Sequence, residues 1–136
     1  MDLMTSMNIA VSGLKAQGGR MRVIAENIAN VNSTAQTPNG DPYQRKIVTF
    51  EQELDKELGA MIVKVGRPVR DTSDFGMKFM PSHPAADENG YIKTPNVNGL
   101  IESMDMREAQ RSYEANLSVI QTSRSMITRT IDLLRR

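Results

Sequence analysis

The chain has no cysteine and no tryptophan, which excludes disulfides, thiolate nucleophiles and thiolate-held metals. Rings are scarce, with three Phe and three Tyr among 136 residues. Small cores draw much of their burial from aromatic side chains, so whatever this chain buries must be largely aliphatic. Its one histidine, His83, sits between Ser82 and Pro84, too isolated to build a metal site without company, and is expected in solvent. No run of 18 apolar residues occurs, so no membrane-spanning helix is expected. Nor is there a field of one sign. The 17 basic and 16 acidic residues leave a net charge of +1, too little to attract nucleic acid or an anionic lipid surface. The first residues lack the pattern of a cleaved signal, because Asp2 is acidic where Lys or Arg belongs and polar residues break every apolar run. Work outside the cytoplasm would then need an exit route without signal cleavage.

Catalytic parts are missing as well. No glycine-rich loop follows a strand and opens a helix, and there is no nucleophile elbow. Asp87, Glu88 and Asn89 lack the alternating ligands and closing Glu of a calcium loop. Glu102, Asp105 and Glu108 lie at helical spacing and read as a solvated face. The expectation is no enzyme, no cofactor, no metal and no small-molecule substrate.

What is present is helix-seam material: ten Met, the adaptable filler of helical packing, and two long periodic segments. In residues 3–31, Met7, Leu14, Met21 and Ile28 recur every seven residues, with Met4, Val11, Gly18 and Ala25 interleaved. That is an a/d row over nearly four heptads, uninterrupted by proline. Gly13, Gly18 and Gly19 weaken it by about 1 kcal/mol each, which suits a helix whose neighbours press close to its backbone; the alternative is a helix weakened or kinked there. In residues 97–135, Met106, Tyr113, Ile120, Ile127 and Leu134 repeat at the same interval. Leu117 and Ile131 fill the alternate row, which Arg124 breaks once. A helix from about Asn98 to Arg135 is expected, with Arg129, Arg135 and Arg136 at its negative dipole end.

Between them the chain changes character. Asn32 to Pro42 is a dense turn cluster. Tyr43–Phe50 and Met61–Val65 favour strands, Glu51–Leu58 reads as a helical turn or charged loop, and Arg67–Ser82 reads as irregular. Asn89-Gly90 should turn the chain into a strand at Tyr91. The sequence therefore predicts a mainly α fold, in which two long terminal helices pair as an antiparallel coiled coil around a central extended and β-hairpin insert. The segments are residues 1–33, 34–96 and 97–136. Second apolar rows, Ala10, Ile24 and Val31 on the first helix and Val119, Met126 and Leu133 on the second, would face solvent in a lone helical hairpin. Folding coupled to assembly is the simplest consequence; the alternative is an ordinary small helical bundle in which the middle segment supplies a third layer.

Two motifs sharpen this reading. Ser12-Gly13-Leu14-Lys15-Ala16-Gln17, then Arg20-Met21 and Glu26-Asn27-Ile28-Ala29-Asn30-Val31-Asn32, resemble the N-terminal signature of flagellar rod and hook proteins. Ala109-Gln110-Arg111-Ser112-Tyr113-Glu114-Ala115-Asn116 resembles the C-terminal one. Pro42-Tyr43, Ala86 to Tyr91 and Thr94 to Val97 are similar to the short proximal-rod members, leaving roughly 53–80 unmatched. The resemblance implies a structural subunit that polymerises through its terminal helices into a torque-transmitting tube in the periplasm. It implies partners too: copies of itself, other rod proteins, membrane-ring and rod-adaptor components, and the flagellar type III export apparatus in transit. Leu14, Ala16, Gln17, Arg20, Asn27 and Asn30 carry the motif on the first helix, and Arg111, Tyr113, Ala115 and Asn116 on the second. With Met7, Met21, Ile28, Met106, Leu117, Ile120, Ile127 and Ile131 from the apolar rows, they form the expected assembly interface. For Asn27, Asn30 and Asn32 the alternative is capping the helix end; for Arg20 and Arg111 it is a solvated face. Two other readings remain: a different rod or hook-type subunit, or a cytoplasmic coiled-coil adaptor or export chaperone.

Overall fold

A computed structural model describes residues 2–135; Arg136, assigned above to the basic end of the second helix, lies outside the described residues. The element order is helix, six short strands, helix. The first helix, α1, runs Leu3–Ala29, and the second, α2, runs Gly99–Leu134. At 36 residues α2 is about 54 Å long, several times the usual globular helix.

Local chemistry sets the helix ends. Asn98 caps α2: its Oδ1 accepts the N–H groups of Leu100 and Ile101 at 3.0 and 3.3 Å, and its carbonyl accepts that of Glu102 at 3.0 Å. At the end of α1 the Asn30 amide donates back to the Glu26 carbonyl at 2.8 Å and accepts from the Ser33 hydroxyl at 3.0 Å. Asn30 thus terminates the helix.

The strands form three separate antiparallel pairs. β1 (Lys46–Ile47) pairs with β4 (Val69–Arg70); β2 (Phe50–Asp55) pairs with β3 (Ala60–Val65); β5 (Gly76–Phe79) pairs with β6 (Tyr91–Thr94). Three expectations are corrected here. Glu51–Asp55 is strand rather than turn or charged loop, because Phe50, Gln52 and Leu54 alternate with the acidic residues and stand across from Val65, Val63 and Met61. Of the expected strand Tyr43–Phe50, only Lys46–Ile47 pair as β1, while Phe50 is the first residue of β2. The stretch read as irregular contains β4 and β5. The Asp87 carboxylate organises the turn before β6, accepting the Asn89 and Tyr91 N–H groups at 2.9 and 2.8 Å, and Gly90 supplies a positive φ of 82°.

The chain divides into two compact units that interleave along the sequence. A hairpin unit comprises Met1–Met21, Thr49–Arg67 and Arg107–Arg136; a hub unit comprises Arg22–Val48 and Pro68–Met106. The hairpin unit buries Ala10, Ala16, Ala109 and Ser123, and the hub unit buries Val23, Ile24, Asn27, Ala85, Ile92 and Glu102. Ala10 and Ile24, expected in solvent, are therefore core. The Met7, Leu14, Met21 and Ile28 row is only half-buried, and Met4 and Ala25 are exposed. In the hub unit His83 is half-buried, not free in solvent. Its Nε2 lies 3.3 Å from the Thr34 hydroxyl and its Nδ1 accepts the Ala85 N–H at 3.1 Å.

Candidate assembly interface

The hub unit is organised around two buried polar side chains, Asn27 and Glu102, each 1% exposed. Burying such groups is tolerable only if every valence finds a partner, and the Asn27 amide meets that condition. Its nitrogen donates to the Lys46 carbonyl at 2.8 Å and to Glu102 Oε2 at 3.1 Å. Its oxygen accepts the Tyr43 hydroxyl and the Lys46 N–H, both at 2.9 Å. Two donors and two acceptors are the full inventory of an amide.

Glu102 takes its second partner from Arg45, whose Nε donates to Oε1 at 2.5 Å. The same guanidinium reaches Asp71 at 3.3 Å and Asp105 at 3.8 Å. Backbone contacts hold this arginine in place. Its N–H donates to Asn96 Oδ1 at 2.7 Å, and the Asn96 amide donates in turn to the carbonyls of Asp71 and Ser73, both at 3.1 Å. Burial alone would lower the Arg45 pKa, but the hydrogen bond and charge of Glu102, then those of Asp71, carry it above the ordinary arginine value. Burial raises the Tyr43 hydroxyl, helped by the carboxylates of Glu26 and Glu102, so it stays a donor to Asn27. Asp71 is held below the usual carboxylate range by the Ser73 N–H and hydroxyl, with Arg45 adding to them. Glu102 is thus an internal anchor and not part of the solvated face expected from its spacing. Nothing in the local pattern distinguished it from Asp105 and Glu108, and Tyr43 and Arg45 carry no helical periodicity that could have flagged them.

The hairpin unit is built differently. Here α1 and α2 meet in opposite chain directions: Arg20 pairs with Glu108 at 3.7 Å, and Gly13 lies against Asn116. A Cβ at Gly13 would approach the Asn116 amide to 3.0 Å, so this glycine leaves room for that side chain, whereas Gly18, expected to have a close neighbour too, faces open space. The hairpin lies on α1 as well. Ser12 accepts the Val63 N–H at 3.2 Å, and Val65 would stand 3.1 Å from a Cβ at Gly19. Ile9, Gly13, Ala16 and Gln17 of α1, Asn116 of α2, and Phe50, Glu51, Gln52 and Val63 of the hairpin line a crevice of about 410 Å3.

Among the expected interface residues, Asn27 pairs with Glu102, Arg20 pairs with Glu108, and Gln17 and Asn116 share the crevice. Ala16 is buried. Met7, Leu14, Met21, Ile28, Asn30, Met106, Tyr113, Ile120 and Ile127 are half-buried, and Arg111, Ala115, Leu117 and Ile131 are exposed. Beyond Asn116, α2 is uncovered over most of its surface. Val119, Met126, Ile131, Leu133 and Leu134 are all exposed, the last two at 71% and 82%.

Known proteins are similar to this chain in sequence. Residues 7–35 match the family described as flagella basal body rod protein, and residues 88–133 match that described as flagellar basal body rod FlgEFG protein C-terminal. The chain is 53% identical over 133 residues to the flagellar basal-body rod protein FlgC of Agrobacterium fabrum, covering 98% of this chain and 96% of that protein. It is 39% identical over 152 residues to FlgC of Borreliella burgdorferi, covering 98% and 99%. To FlgC of Salmonella typhimurium it is 37% identical over 133 residues, covering 98% of each.

Proposed function

This chain belongs to the FlgC family of flagellar basal-body rod proteins, and from that premise we propose how a rod subunit of this sequence assembles. As a member it is a structural subunit of the basal-body rod. In our reading the two terminal helices pair as an antiparallel coiled coil, and their remaining apolar rows are covered by copies of the chain and by other rod proteins. The product is a tube that crosses the periplasm and transmits torque. Its ends meet membrane-ring and rod-adaptor components, and its subunits leave through the flagellar type III export apparatus unfolded and without signal cleavage. The work is mechanical, with no enzymatic step.

The observation that carries this reading is the uncovered second half of α2. Leu117, Val119, Met126, Ile131, Leu133 and Leu134 are exposed on one continuous helix. Burying apolar area is worth about 25 cal/mol per Å2, and this much aliphatic surface on a helix with few contacts favours a partner over water. The half-buried Met7, Leu14, Met21 and Ile28 row adds surface on α1, and the opposite directions of the Gly13–Asn116 and Arg20–Glu108 contacts favour antiparallel pairing. Within the interface, Leu117, Ile131, Ala115 and Arg111 are assigned to contacts between subunits, while Asn27 and Ala16 hold the surfaces that make them.

Circular dichroism of the purified full-length chain across a concentration series tests this. Helicity should be partial in the dilute monomer and rise as light scattering reports assembly. A dilute monomer that is already fully helical and melts cooperatively would sink the reading.

A further inference from the structure

Two surfaces of this molecule lack the cover that their side chains call for. The first is in the hub unit, where β5 and β6 form a two-stranded ribbon. Its register sets Met77 beside Lys93 and Phe79 beside Tyr91 on one face, and Lys78 beside Ile92 on the other. Ile92 is 2% exposed and belongs to the core, whereas Met77 and Phe79 are each 60% exposed and Tyr91 44%. A ribbon with apolar side chains on both faces needs a packed layer on each, and only the inner face has one. The outer face is preformed: the Phe79 and Tyr91 rings meet edge to face with centroids 5.2 Å apart. Ala35, Gly40 and Ala85 join Met77 and Tyr91 around a hollow of about 70 Å3 beside them. Asp41, Asp87 and Glu88 are exposed along its rim, against Lys93, which pairs with Asp41 at 3.0 Å. Glu88 has no ion pair among the described residues.

The second surface is on α2. From Thr128 to Arg135 every residue is exposed. Val119, Met126 and Leu133 recur every seven residues, all exposed, and Arg129 lies three residues past Met126 and four before Leu133, which places it on the same side of the helix. Arg129 has no ion pair among the described residues. Residues 117–136 hold four arginines and one aspartate, so this ridge is basic where the rim of the ribbon is acidic. The lengths agree as well: Val119 to Leu133 covers about 21 Å of helix, enough to cross four-residue strands about 13 Å long. Both surfaces are exposed in one molecule, so neither covers the other there. We propose that the Val119, Met126 and Leu133 ridge of a second copy lies across the outer face of β5 and β6, on Met77, Phe79 and Tyr91, with Arg129 facing Asp87 and Glu88. Opposite charge and the continuity of this ridge with the uncovered assembly surface of α2 select a second copy as the occupant. The two faces differ, so the contact is heterologous and repeats from copy to copy without closing on itself unless the rotation happens to bring it round. This rests on the rod-subunit reading and specifies which face of one copy meets which face of the next.

The absence of native cysteine makes the test direct. Flagellated cells of the source, their own copy of this chain deleted, express two differently tagged full-length forms, Met77→Cys and Met126→Cys, both at exposed positions. Their basal bodies are purified and treated with a short bismaleimide. The expected result is a dimer of twice the chain's mass containing both tags, and no dimer from either form alone. In parallel, Arg129→Glu should lower the amount of subunit in basal bodies by about tenfold, and Glu88→Arg in the same chain should recover most of that loss. The urea midpoint of the dilute chain should be the same for both variants as for wild type. Basal bodies that contain the tagged chains but yield only monomer, or a cross-link to a chain of another mass, overturn the contact. So does a double variant no better than Arg129→Glu, or a midpoint that falls with Arg129→Glu and so places that side chain in contacts within the molecule. Absence of every tagged form, wild type included, from the basal bodies would instead refute the rod reading itself.

Discussion

The hub unit and the hairpin unit are drawn from the same two helices and the same middle segment, yet they treat polarity in opposite ways. The hub unit turns its polar groups inward and satisfies them: Asn27 uses every hydrogen-bonding position it has, and Glu102 is paired on both oxygens. The hairpin unit leaves groups unspent. Among the described residues, Gln17 keeps a buried oxygen without a donor, Arg124 has no ion pair, and several apolar side chains of α2 beyond Asn116, such as Val119, Met126 and Leu133, stand in water. A subunit that must hold a shape and also join a lattice needs both treatments. The contrast shows them assigned to different stretches of chain, which mutations can separate.

The largest effect should come from breaking the hub. Arg45→Ala leaves the Glu102 carboxylate 1% exposed and without its cation. Removing one member of a buried pair costs about 3–5 kcal/mol, so the urea midpoint, followed by circular dichroism, should fall steeply. Adding Glu102→Leu to the same chain should restore much of that loss, because it removes the stranded charge. If Arg45→Ala shifts the midpoint no more than an ordinary surface change, within about 0.5 kcal/mol, the hub is not what stabilises its unit.

A smaller effect is expected where the hairpin unit is tightest. Ala109 is 0% exposed on α2. Ala109→Leu has no room to enter and should destabilise by about 1–3 kcal/mol through overpacking. The midpoint measures the loss, while Ala109→Ser, which adds one atom, should be nearly tolerated.

Ala109 also shows what could and could not be read from the sequence. The helices were legible, since two heptad rows placed them at about 3–31 and 98–135, within a few residues of the observed ends. So was the strand at Met61–Val65, and so was the turn at Gly90. The inner row of α2 was not. Glu102, Ala109 and Ser123 are buried at seven-residue intervals, with Asn116 half-buried between, and none of them is a large apolar residue. A search for hydrophobic periodicity therefore finds the flanking rows at Met106, Tyr113, Ile120 and Ile127 and passes over the one packed most closely. The same happened on α1, where small Ala10 and Ala16 are core while the large Met7 and Leu14 are half-exposed. β2 escaped because Glu51, Glu53 and Asp55 make its charged face look like a loop, although the alternation with Phe50 and Leu54 was present to be read. Among the residues expected at the interface, neither the motifs nor the apolar rows separated buried side chains such as Asn27 from exposed ones such as Leu117, because that depends on what the middle segment covers.

The smallest effect on stability should accompany the largest on assembly. Met126→Ser with Leu133→Ser removes two exposed side chains from α2. Met126 is about half exposed and Leu133 mostly so, so the urea midpoint of the dilute chain should move by less than about 0.5 kcal/mol. In the polymer each apolar side chain that becomes fully covered contributes roughly 1.5–3 kcal/mol, so the pair should raise the concentration needed for assembly by well over tenfold, since about 1.4 kcal/mol is a factor of ten. Sedimentation of the purified chain against concentration reads the second quantity and denaturation reads the first. A variant that lowers both together would mean that these residues pack within the molecule, and the contrast between the two units would fail at its outer edge. Unchanged assembly with an unchanged midpoint would mean that the lattice covers a different face of α2.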